Sequence, residues 1–154
     1  MPYSPTQVAN TLLQRPFASG TPITAQRLHA LCYIAAVEYA RRAGRALFES
    51  DFTVHATGPV QYSVYDKFRS LGDEPIERYA TQAGQRYVLN ERADTDLSRA
   101  LDTAWGTTRG VDTAALTVAI TQPGSAWYAA RERGDDFIDS VDVMKDTSYR
   151  RALS

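Results

Sequence analysis

Apolar positions along the chain mostly follow the three-then-four spacing of amphipathic helices. Ser4-Pro5-Thr6-Gln7 joins an N-cap serine, a first-turn proline and a capping-box glutamine. Val8, Ala9, Leu12 and Leu13 follow at helical spacing, and Pro16 is expected to end this short helix. The clearest element starts after Thr24, where Leu28, Leu31, Cys32, Ala35, Ala36 and Tyr39 form one stripe. Gly44 suits its C-terminus, and Arg41, Arg42 and Arg45 suit the negative end of its dipole. It reads as the central core helix.

The next run, Asp51 to Thr57, alternates β-branched and aromatic residues and predicts a short strand. Gly58-Pro59 breaks it and turns the chain into a third helix, from about Val60 to Leu71. On a helical wheel Val60, Val64, Phe68 and Leu71 face the core, while Tyr62, Tyr65 and Arg69 share the opposite side. Arg86-Tyr87-Val88-Leu89 reads as a second strand pairing with the first. Helical spacing returns with Leu97, Ala100, Leu101, Ala104 and Trp105, then in shorter helices capped by Asp112 and Ser125. An acidic stretch (Asp135, Asp136, Asp139, Asp142) leads into a last helix carrying Val143, Met144 and Tyr149. The pattern predicts a mainly α fold, one helical domain over residues 1–154 with a two- or three-stranded antiparallel sheet.

Charge changes this picture little, with 17 basic against 18 acidic residues, so neither nucleic acid nor a membrane is an expected partner. No apolar run is long enough for a membrane span, and the N-terminus lacks the pattern of a secretory signal. The lone Cys32 fits a reducing compartment, and the cytoplasm is the expected location.

His29, Cys32 and His55 are the only soft metal ligands, too few for a closed zinc site. Cys32 lies on the apolar stripe, where a free cysteine behaves as a small hydrophobe. No phosphate-binding glycine loop and no placed pair of carboxylates appears, so no catalytic residue, cofactor or metal is assigned. Arg41, Arg42 and Arg45 serve dipole compensation and solubility better than nucleic-acid binding. The acidic run from Asp135 to Asp146 is either a solvated face or a surface for a basic partner.

Several motifs occur together in a definite order. They are Val8-Ala9-Asn10, Ile23-Thr24, Leu28 with Leu31 and Tyr33, Gly44 with Leu47-Phe48, Gly58-Pro59-Val60, and Val64-Tyr65 with Phe68. Leu116 and Pro123-Gly124-Ser125-Ala126-Trp127 follow. This order resembles the Panacea domain, the SocA-like antitoxin domain also found in phage-associated proteins. Two departures matter for the contact chemistry if those positions touch the partner: Ala30 stands where the family usually has lysine, and His55 and Thr57 where it usually has tryptophan and tyrosine.

The resemblance implies an antitoxin that neutralises a cognate toxin by direct contact. Some relatives instead deliver the toxin to an ATP-dependent protease. The expected partner surface comprises His55, Tyr62, Tyr65 and Arg69, with Trp127 either an interface anchor or a core plug. Gly58, Pro59 and Val60 are structural. A homo-oligomer is compatible with all of this. The alternative reading is a phage or prophage regulatory protein that binds nucleic acid or a host factor.

Overall fold

The computed structural model describes residues 2–153, and its architecture is organised by one helix. Helix α2 (Ala25–Ala43) starts where the Thr24 hydroxyl accepts from the Arg27 N–H and stops at left-handed Gly44. Every residue from Ala30 to Ala40 is buried, so α2 is enclosed on all sides and not along one stripe. The small side chains Ala30, Ala35, Ala36 and Ala40 let neighbours approach closely. Leu28, Leu31 and Ile34 are fully enclosed, each contributing roughly 1.5–3 kcal/mol of apolar burial.

Around α2 pack α1 (Pro5–Ser19), the hairpin β1 (Phe52–His55) and β2 (Gly58–Val60), and α3 (Tyr62–Phe68) with its 3-10 turn Arg69–Leu71. A second 3-10 turn, Glu91–Ala93, leads into α4 (Thr95–Thr108), α5 (Thr113–Thr121) and α6 (Ala126–Arg133). The chain ends with β3 (Phe137–Ile138), α7 (Ser140–Lys145) and α8 (Ser148–Leu153). Asp94, Asp112 and Ser125 cap α4, α5 and α6 through their side chains, the latter two as expected from the sequence.

Helix α1 departs from expectation at both ends. Ser4 makes no side-chain cap bond, its hydroxyl lying 3.2 Å from Thr6 Oγ1. The helix continues through Pro16 to Ser19. A proline this late removes a single ladder bond, and the Pro16 carbonyl still accepts from the N–H of Gly20 and of Thr21.

The sheet is antiparallel with order β2-β1-β3, and here the expected pairing is corrected. Gly58-Pro59 does not break the strand into a helix. It forms β2 after a turn at Ala56-Thr57, with Val54 opposite Pro59 and His55 opposite Gly58. The Val54 N–H points the other way, to the Asp136 carbonyl, so the Val54–Pro59 position asks no donor of the proline. Val60 belongs to this strand, and α3 begins at Tyr62. The side chain of Gln61 is spent on Ser50, donating to its carbonyl and accepting from its hydroxyl, instead of capping the helix.

Arg86 to Leu89 is not a strand. Asn10 on α1 donates to the carbonyls of Ala80 and Tyr87 and accepts from the Ala80 N–H, while Thr11 Oγ1 accepts from the Leu89 N–H. Side chains of α1 therefore satisfy the backbone that a sheet partner would otherwise pair.

The single terminal helix is also corrected: it is β3, α7 and α8, divided at Asp146. The Asp146 carboxylate is buried and accepts from Tyr33 OH, the Ala126 N–H, and the N–H and hydroxyl of Ser148. Asp146→Asn puts donors against these donors and should lower stability by about 1–3 kcal/mol, read as the shift in a urea unfolding curve.

Acid should weaken a second buried carboxylate. Glu38 pays desolvation, which raises its pKa, but Arg150 and Tyr149 hold it net below the usual 4.5. A depressed folded pKa gives stability that is full above pH 4.5 and lost as pH falls through the lower folded value. Glu38→Gln should flatten the acid limb of a stability–pH profile and lower stability at neutral pH.

Candidate functional site

Antiparallel pairing places Thr53 and Phe137 opposite each other, on the sheet face that also carries His55 two residues on. Helix α3 lies beside this face, and its exposures follow the wheel: Val64 and Phe68 are buried, Tyr62 is exposed and Tyr65 is half-buried. Three of the expected residues form a run of rings. His55 is 4.9 Å from Tyr65 between centroids, and Tyr65 is 6.0 Å from Tyr62. His29, from α2, approaches Tyr65 from another side at 6.1 Å.

Trp127 resolves to a core plug. It is 6% exposed, its indole N–H donates to the His55 carbonyl at 2.9 Å, and Arg131 stacks 5.1 Å from the ring. It therefore supports the His55 end of the hairpin from beneath. Arg69 is exposed but lies outside the run, 3.9 Å from Asp66 on the same face of the helix. Gly58, Pro59 and Val60 are buried in β2 and present no contact surface.

Phe137 belongs to the same surface and was hidden in the acidic stretch. Tyr62 and Phe137 are each 59% exposed. With Ser50, Asp51, Thr53 and Ser63 they line an open hollow of about 400 Å³. The one readable signal was an aromatic ring between Asp135, Asp136 and Asp139, where a solvated acidic face needs none.

The titratable groups near the run have distinct states. Burial holds His29 down at about 4, with nearby His55 adding repulsion, and its buried Nδ1 has no partner among the described residues. His55 Nδ1 lies 3.2 Å from Thr57 Oγ1 and accepts from the Thr57 N–H. Burial pushes the Cys32 thiol up to about 12, which removes it as a thiolate nucleophile at neutral pH. Among the described residues no three His, Cys, Asp or Glu side chains converge as a metal site. None of their helices is long and apolar enough to cross a membrane. The cavity between α2, β1 and α7, bordered by Ala36, Leu47, Phe52 and Ile138, is about 30 Å³, space for a single water.

No family model, curated protein or solved structure matches the chain.

The His29 geometry gives a signed expectation. Its folded pKa lies below the ordinary 6.5, so the unfolded chain binds the extra proton, and stability falls as pH drops from 6.5 towards 4. His29→Leu should make that decline shallower in chemical denaturation across the same window. NMR titration of the His29 ring should show it neutral until near pH 4.

Proposed function

We propose that this chain is a cytoplasmic antitoxin that neutralises a cognate toxin by direct protein–protein contact. The observation that carries the reading is the exposure of Tyr62 and Phe137 on one hollow, each 59% open, beside the ring contact of Tyr65 with His55. Large aromatic side chains held on rigid elements bring contact area at low ordering cost, and they dominate binding hot spots. The supporting shell is rigid: Tyr62 starts a helix, Phe137 is paired to Thr53, and Trp127 fixes the His55 carbonyl.

The antitoxin class itself is supported by the order of Panacea-like motifs from Val8-Ala9-Asn10 to Trp127. Several of these motif residues have structural tasks in the fold. Asn10 holds the 80–87 segment, Leu47 and Phe48 enter the core, and Gly58-Pro59-Val60 is an edge strand. What distinguishes this chain is therefore its surface chemistry, with His55 and Thr57 at positions usually occupied by bulkier rings. Delivery of the toxin to an ATP-dependent protease uses the same contact and differs only in the fate of the bound partner.

Expression of the adjacent gene should arrest growth, and co-expression of this chain should restore it. A Tyr62→Ala/Phe137→Ala variant should fold and lose about 2 kcal/mol or more of partner affinity, measured by calorimetry on the purified pair. Full neutralisation by that folded variant moves the contact to another surface. A harmless neighbouring gene product removes the antitoxin reading, and salt-sensitive DNA binding then favours a phage regulatory role.

A further inference from the structure

The hollow between the hairpin and α3 has a chemical bias beyond its aromatic rim. Asp51 is exposed and lines it together with Tyr62 and Phe137. No ion pair or side-chain hydrogen bond engages Asp51 among the described residues. No lysine or arginine lines the hollow, and exposed Asp136 adjoins Phe137 in the chain. By contrast, the acidic neighbour Asp135 is already paired, at 2.9 Å from Arg133.

The walls are fixed before any partner arrives. Buried Gln61 clasps Ser50 through two hydrogen bonds of 2.7 and 2.9 Å, which holds the loop carrying Asp51 against the start of α3. Phe137 is held opposite Thr53 by the sheet register. The result is a preformed recess lined by an unpaired carboxylate and two exposed aromatic rings. Ring faces attract cations, and a planar guanidinium both stacks on rings and forks onto a carboxylate.

We infer that the Asp51–Tyr62–Phe137 hollow seats an arginine side chain of the protein partner. The inference rests on the protein-binding reading and specifies its chemistry: the partner presents an arginine, and its approach is favoured by the acidic surround. A compact ammonium lacks the plane that uses both rings and the carboxylate together. A neutral isostere lacks the charge.

The test needs no identified partner. Full-length protein labelled with nitrogen-15 is titrated with Nα-acetyl-arginine methylamide, and separately with the lysine and citrulline analogues. The arginine probe should give saturable shifts confined to the amides of Asp51, Thr53, Tyr62 and Phe137, in the millimolar range. The lysine probe should bind more weakly and the citrulline probe should give no saturable shift. Asp51→Asn should weaken arginine binding about tenfold or more. Phe137→Leu, which keeps an apolar side chain on β3 but removes the ring face, should weaken it about threefold. Unchanged circular dichroism establishes that both variants fold.

Absence of saturable shifts at these residues, equal binding of citrulline or lysine, or binding insensitive to Asp51→Asn would each overturn the assignment. The two proposals fail separately. If the adjacent gene product is harmless yet the arginine probe seats, the antitoxin reading falls and the arginine site stands. If neutralisation is observed but the probe does not seat, the site falls and the antitoxin reading stands.

Discussion

Glu38 sits in the middle of α2 with its carboxylate buried, accepting from Tyr149 OH and from the Arg150 guanidinium at 2.6 and 2.8 Å. A helix enclosed on every side cannot send its polar side chains to water, so each needs a partner inside the fold. Tyr33 donates to Asp146, and Tyr39 donates to Asp94, which also receives Tyr3 OH and caps α4. These three fastenings use residues from both ends of the chain and from its middle. They set where α4 begins, where α7 gives way to α8, and how the N-terminal segment lies. Breaking one leaves a buried donor or charge exposed to nothing, the costly side of the hydrogen-bond balance.

Local rules carried the reading of the sequence well where they act within one turn. Thr24, Asp112 and Ser125 all cap, because a cap involves only the three residues that follow it. The apolar stripe of α2 identified the central helix, although periodicity alone did not reveal that its other faces are covered too. Errors came where a distant residue decides. Arg86 to Leu89 has strand-like composition, but Asn10 and Thr11 bind its backbone from 77 and 78 residues earlier in the chain. β3 is two residues long and exists because β1 offers an edge. No window of sequence contains both partners.

The surface follows the same division. The wheel placed Tyr62 outward, where it is exposed, since α3 is regular there, whereas Tyr65 is half-buried beside the His29 and His55 rings. It did not find Phe137 or Asp51, which reach the hollow through sheet pairing and through the Ser50–Gln61 clasp. Trp127 shows the converse. A tryptophan after a turn is compositionally a good anchor, yet its indole N–H serves the hairpin carbonyl and its ring is enclosed. The exposed residues thus depend on buried ones for their positions.

The tie between Glu38 and the α8 residues Tyr149 and Arg150 also orders events during synthesis. The ribosome releases α2 more than a hundred residues before its charge partner. Until α8 emerges, the nascent chain has no buried site for the Glu38 carboxylate that is also neutralised. The core around α2 therefore closes only once α8 has been made, and the chain synthesised before that point exposes the same leucines that later form its interior. A chain stalled before Tyr149 leaves the Glu38 carboxylate without its partners and those leucines open to aggregation.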